Sequence, residues 1–535
     1  MRASPSSATT RLRTVRLLCV LAPAALVLAL LGAVPAVASS PPVVAKAGTG
    51  HGFVTMVSES GDWVGQGTSR IWRTPHDSVT VSGGSGFVGV GVSGSGGDFT
   101  LDFAAPSGKR LKAGSYLDAQ RYPFESSGRP GLDISGDGRG CNEVSGRFWV
   151  LDLSRDRSRV WIVYEEHCEG GRPAVFGEVR IGEPDQGGVQ MAPSRVRWPD
   201  DYPNVALRPV PIHVVNRGSI PLTVTGASVV AGGADFSVEG NTCGTVPVGS
   251  DCTVYVGFTA SIRGNRLGEL RLRTSAGTRW VPLAGHGAAG RTSWQMSSQP
   301  GDWVGGGQDY SFTPEDGANI SGGGSETHAW ARVTTGSDDF DADFEAASGK
   351  LLLPGTTFPN ATRYPFNNGG AGLSITGNGA GCNEVNGSFT VEDSSFSDNG
   401  ALTSYLIDFE QWCDNSSSAL TGTIAWRAAD PSAPPLDTSA PYRVTSLGGA
   451  VDSHGKLHLH WTNPGNADWV DTVVRVATGT EAPRSYTGGR ELSTGRGTTM
   501  HAHLSPTHRT YSIAVFSRDT SGNSTRTTLT VHVPH

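Results

Sequence analysis

The sequence predicts an all-β chain of four tandem β-sandwich domains behind a cleaved signal peptide. Three observations carry this. Gly supplies 73 of the 535 residues and Pro 32, while charged residues make up 17%. That mix suits short strands and many turns, and it excludes long helices, coiled coil and a wholly disordered chain. Runs of five to eight residues alternate apolar and polar between Gly-rich turns, the pattern of antiparallel strands. A long stretch also recurs at an offset of 240–245 residues. The length itself allows about three to five domains.

Residues 1–38 read as a secretory signal. Arg2, Arg11, Arg13 and Arg16 precede an apolar run from Leu17 to Val34, and Ala36-Val37-Ala38 supplies the cleavage pattern. An N-terminal membrane anchor is the alternative, but Pro23 and Gly32 break the run. Formal net charge is −7, and removing those four arginines leaves −11. The expected mature protein is secreted, with a linker over 39–52. No later run is apolar enough to span a bilayer. No basic stripe marks a nucleic-acid partner.

The repeat comprises 53–185 and 291–429. Gly61-Asp62-Trp63-Val64-Gly65 returns as Gly301-Asp302-Trp303-Val304-Gly305. Arg121-Tyr122-Pro123-Phe124 returns as Arg363-Tyr364-Pro365-Phe366, and Cys141-Asn142-Glu143-Val144 as Cys382-Asn383-Glu384-Val385. Phe148 and Val150 share one strand parity, with Trp149 and Leu151 on the other; Val160, Ile162 and Tyr164 alternate likewise. The unit resembles a domain of unsettled activity found in secreted actinobacterial proteins, which implies a location and no chemistry.

Residues 190–288 form a different sandwich. The run 209–224, Asp235-Phe236, and the stretch from Cys243 to Cys252 resemble Hydin-type immunoglobulin-like domains, which implies a spacer or surface module. A Pro/Ser-rich linker occupies 430–440. Residues 441–535 resemble a fibronectin type III domain: Leu457, Leu459 and Trp461 alternate on a strand, and Leu504 followed by Tyr511 fits the corner where a Tyr hydroxyl ties back to backbone.

Cys19 leaves with the signal. The other six cysteines allow fifteen pairings, from which the repeat selects Cys141–Cys168, Cys243–Cys252 and Cys382–Cys413. Exported proteins meet an oxidising compartment, where such bridges persist.

No nucleophile elbow, zinc-protease helix, P-loop or dinucleotide fingerprint is present, and no cofactor is expected. The repeats share Asp62/Asp302, Asp102/Asp343, Glu143/Glu384, Asp152/Asp393 and Glu165/Glu410, and two carboxylates suffice for glycoside hydrolysis. Turn-capping and ion-pairing are their commoner uses. Asp62, Trp63, Arg121, Tyr122, Asn142 and Glu143, with Asp302, Trp303, Arg363, Tyr364, Asn383 and Glu384, make a candidate sugar-binding set of aromatic faces and polar groups. Trp63 itself is expected to pack in the core or at a sheet edge. Asp133, Ser135 and Asp137 have the spacing of a calcium-loop start but lack its later Glu. In the last domain His458, His460, His501 and His503 point outward from strands expected to neighbour each other, which predicts a histidine patch able to share a transition metal or, alternatively, four solvated side chains.

The function these features predict is a non-catalytic binding or adhesion protein with extracellular polysaccharide or cell-surface glycan as its partner. A glycosidase or carbohydrate-active accessory protein is the first alternative and a structural spacer the second.

Overall fold

The computed structural model describes residues 51–183, 188–396, 400–429, 433–505 and 508–534. The signal peptide, most of the 39–52 linker and positions 430–432 of the second linker lie outside them. The described chain is all-β. Its one helical element is a 3-10 turn, Pro314–Asp316, and no helix is long and apolar enough to cross a membrane.

The first repeat opens at His51, two residues inside the stretch assigned to the linker, because His51–Ser58 pairs with Ala174–Glu183. Its ten strands form one hydrogen-bonded sheet. The order is Ser69–Arg73, His51–Ser58, Ala174–Glu183, Val160–Cys168, Val144–Leu153, Gly114–Arg121, Gly131–Gly136, Gly97–Ala104, Phe87–Gly94 and Ser78–Gly83. Val54 and Trp72 at one edge share a core with Val79, Val81 and Val88 at the other, so the sheet rolls over on itself. The two layers expected of a sandwich are therefore continuous. The second repeat builds ten strands in the same order, from Asp309–Phe312 to Asn319–Gly324. Strand parity sets the cores: Phe148, Val150, Val160, Ile162 and Tyr164 are buried in the first.

Residues 189–287 form a two-sheet immunoglobulin-like sandwich of four and five strands around Trp198, Phe236 and Phe258. Residues 445–532 form a second sandwich, three strands against four. That division, and the Tyr511 hydroxyl donating to the Ser505 carbonyl at 2.8 Å, match a fibronectin type III arrangement. Three disulfides join Cys141 to Cys168, Cys243 to Cys252 and Cys382 to Cys413.

The modules are docked through buried charge and apolar side chains. Val57, Ala174 and Phe176 of the first repeat enter the core of the immunoglobulin-like module. Arg147 pairs with Glu165 of its own sheet and reaches Asp200 across the boundary. Arg195 of the immunoglobulin-like module binds Glu491 of the fibronectin-like one, which Arg475 also holds at 2.8 Å. Trp149, Leu151 and Val163 point away from the core of their own repeat and line this three-module junction. The corresponding second-repeat residues are Thr390, Glu392 and Asp408, with Glu392 and Asp408 exposed. The two copies thus diverge in polarity on the face that only the first one docks. Replacing Trp149 by the Thr of the other copy should weaken docking by about 1–2 kcal/mol, since the ring is only partly buried. Hydrogen exchange should then rise in Val160–Cys168 and Arg490–Gly495 while staying unchanged in the second repeat.

Candidate functional site

The Gly-Asp-Trp-Val-Gly motif is a rigid presenting turn, and its geometry repeats in both copies. Gly61 and Gly301 take left-handed φ of 91° and 98°, which a side chain would resist. Asp62 is buried. It accepts from Ser58 Oγ at 2.6 Å and from the Gly65 and Val64 amides at 2.7 and 3.3 Å. Asp302 accepts from Ser298 Oγ, Gly305 N and Val304 N at 2.7, 2.7 and 3.4 Å. A Cβ on Gly65 would lie 2.3 Å from that of Ser58. Val64 enters the core, and Trp63 is driven out.

Two expectations are thereby corrected. Asp62 and Asp302 are turn caps and offer no oxygen to a ligand. Trp63 and Trp303 are neither core nor edge packing: they are 56% and 68% exposed.

The Arg-Tyr-Pro-Phe loop presents a second aromatic. Phe124 and Phe366 are 74% and 66% exposed, each with a guanidinium on its face, from Arg121 at 5.2 Å and Arg363 at 5.3 Å. Arg121 also donates to the Asn142 carbonyl at 3.4 Å, and Arg363 to that of Asn383 at 3.3 Å. Tyr122 stacks on Phe87 with centroids 4.8 Å apart, and Tyr364 on His328 at 4.9 Å. Asn142 and Glu143 are held through their backbone amides by Glu169, leaving both side chains exposed. In the second copy Asp414 accepts from the Glu384 amide and the Asn383 side chain. Arg121, Tyr122, Asn142 and Glu143 therefore form one surface with Phe124. In the first copy Arg139 donates to the Val64 carbonyl of the Trp63 turn at 3.1 Å. Phe124 and Phe366 were missed from sequence, although they stand in the repeated block.

The shared carboxylates do not pair with one another. Asp152 binds Arg159, and Glu165 binds Arg147 and His167; neither meets Arg121. The carboxylates that do come together are Asp102 and Asp133, directly opposed on neighbouring strands. Burial, with the Asp133 charge added, pushes Asp102 up to about 6. The second copy replaces Asp133 by Ser374, and its Asp343 meets His328 at 2.9 Å instead. The calcium-loop expectation also fails. Asp133 and Ser135 lie within the strand Gly131–Gly136, while Asp137 accepts from the Asp98 amide and pairs with Arg70. Asn378 replaces Asp137 in the same turn, accepting from the Asp339 amide.

In the last module, His458 lies directly opposite His501, ring centroids 4.6 Å apart. His458 Nε2 is engaged by Asp452 at 3.1 Å. His460 faces Thr499 and His503 faces Lys456, so the strand register separates the four rings into one pair and two outliers. Among the described residues, the groups with three ligand atoms close together contain none of them.

No family model and no curated protein matches the sequence. Solved structures with some similarity include the spore cortex lytic enzyme SleM of Clostridium perfringens, 17% identical, with 23% of this chain covering 35% of that one at a TM-score of 0.14. The FN1–FN3 domains of chicken CNTN1 are 10% identical, with 65% of this chain covering 99% of that one at 0.17. The N-terminal eight Ig domains of Down Syndrome Cell Adhesion Molecule are 9% identical, with 91% covering 69% at 0.15. Scores this low carry no argument, and the fold assignment rests on the strand topology described above.

Proposed function

We propose that this is an exported, multidomain binding protein whose two repeats hold extracellular polysaccharide or cell-surface glycan. The observation that supports this is the exposed Trp–Phe set, Trp63 with Phe124 and Trp303 with Phe366, supported in both copies by the same turn cap and the same guanidinium stack. Aromatic faces pack against the C–H faces of pyranose rings, while Asn142, Glu143 and their counterparts supply partners for hydroxyls. A pair of such sites on one chain gains avidity on a repeating polymer. Three disulfides suit the oxidising exterior.

The test is retention on insoluble polysaccharides and cell walls. Trp63→Ala or Trp303→Ala should each weaken retention about tenfold, as a lost stacking platform of ~1.4 kcal/mol would. The double variant should abolish it. Full retention by the double variant would exclude the aromatic surface, and no retention by the unaltered chain would favour the spacer.

A further inference from the structure

The junction of the first repeat, the immunoglobulin-like module and the fibronectin-like module encloses a cavity of about 110 Å³. Four guanidiniums line it: Arg195, Arg197, Arg475 and Arg518. Two carboxylates neutralise part of this charge. Asp471 takes both the Nε and Nη2 of Arg518, at 2.8 and 2.6 Å, and Glu491 lies between Arg195 and Arg475. Arg147 takes Glu165 and Asp200, and among the described residues no carboxylate lies within ion-pair distance of Arg197. The guanidinium of Arg197 rests on the Trp149 ring at 4.3 Å. Glu269 is completely buried beside Asp471, and burial pushes its carboxyl well above the usual range, with the Asp471 charge adding to the effect and Arg518, Arg496 and Arg195 opposing it.

Hydrogen bonding leaves groups unmet on both sides of the junction, with both oxygens of Glu269 among the acceptors. The Nε atoms of Arg195, Arg197 and Arg475 are buried, and none has an acceptor. Arginine has donors only, so the deficit cannot be met among these side chains themselves. Leaving such buried donors unmet is costly. A water molecule brings two lone pairs and no charge, whereas an oxyanion brings several acceptor oxygens and the missing negative charge. The volume is ample for a tetrahedral or planar oxyanion.

We propose that this cavity binds one small oxyanion, a phosphate, a sulfate or a short carboxylate, which joins the immunoglobulin-like and fibronectin-like modules through the side chains of Arg195, Arg197 and Arg475. The site is independent of the aromatic surfaces on the repeats.

The full chain should bind phosphate or sulfate at one per molecule by calorimetry. Its unfolding midpoint should rise more in either salt than in chloride at matched ionic strength. Acetate run in parallel separates a carboxylate ligand from a tetrahedral one. Arg197→Gln should weaken binding at least tenfold, and Arg197→Lys, which keeps the charge and loses the fork, should fall between. Arg332→Gln, on an exposed strand of the second repeat, should bind as the unaltered chain does. Equal midpoints in phosphate, sulfate, acetate and chloride would overturn the proposal. So would undiminished affinity in Arg197→Gln, or a stoichiometry far from one.

Discussion

Glu166→Gln should stabilise the protein at neutral pH. Glu166 is completely buried beside the first disulfide. Its Oε2 accepts from the Ile134 amide at 2.8 Å, and its Oε1 lies 3.5 Å from Cys141 Sγ. The second repeat holds Gln411 in the same place. There Oε1 accepts from the Ile375 amide at 2.8 Å, while Nε2 donates to the Ile375 carbonyl at 3.0 Å and faces Cys382 Sγ at 3.4 Å. Oε1 of Glu166 thus occupies a donor position, which only a protonated carboxyl fills. Burial pushes Glu166 well above its ordinary range, with Asp133 and Asp62 adding to the effect and the Ile134 amide opposing it.

A raised folded-state value gives the sign. The stability that the neutral acid contributes is complete below the unfolded value, about 4.3, and is lost as pH rises through the folded value. Each pH unit in that window costs about 1.4 kcal/mol. The amide escapes this loss. Denaturant melts from pH 4 to 8 should therefore show the variant equal to the unaltered chain at the acid end and increasingly more stable above it. Parallel curves would show that Glu166 does not carry the proton.

Glu491→Gln should act in the opposite direction, costing about 3–5 kcal/mol of docking and stability, because it strands the buried Arg475 guanidinium and the partly buried one of Arg195. Burial alone would raise the Glu491 carboxyl, but Arg195 and Arg475, with a hydrogen bond from Thr494, hold it at about 2. A depressed folded value contributes stability above the unfolded value and loses it as pH falls toward the folded one. Between roughly pH 4.5 and 2 the loss is about 3 kcal/mol. The unaltered chain should undock in that window, visible as an expansion in small-angle scattering, whereas Glu491→Gln should be expanded already at pH 7. An unchanged radius for the variant would remove the bridge from any role in docking.

What was legible in the sequence was what local chemistry dictates. Strand parity set Phe148 and Val150 on one face and Trp149 and Leu151 on the other, and the Leu504–Tyr511 spacing marked a corner. Trp63 was misjudged because alternation does not govern a turn: the cap at Asp62 turns the chain, so adjacent Trp63 and Val64 part company. Glu166 was passed over because only positions identical between the copies were compared, while the informative position differs, Glu in one and Gln in the other. The docked face was overlooked for the same reason. Trp149, Leu151 and Val163 stand against Thr390, Glu392 and Asp408, and that contrast marks a partner surface only when outward positions are compared for polarity. The histidine patch was divided by register: alternation gave the correct face and His458 meets His501, but cross-strand pairing leaves His460 and His503 opposite other residues.

The return of the fibronectin-like module onto the first repeat has a mechanical meaning. His51 begins the first repeat, and the described chain closes in a module that docks at the same junction. Tension applied between these ends loads the junction before it stretches any sheet, since the junction bridges the two points of pull. The Arg195–Glu491 bridge would then break first, as a fuse, while the disulfides and hydrogen-bonded strands of each module stay intact. The length released is the stretch between modules, and it is recoverable, because a broken ion-pair junction can re-form once the load is removed.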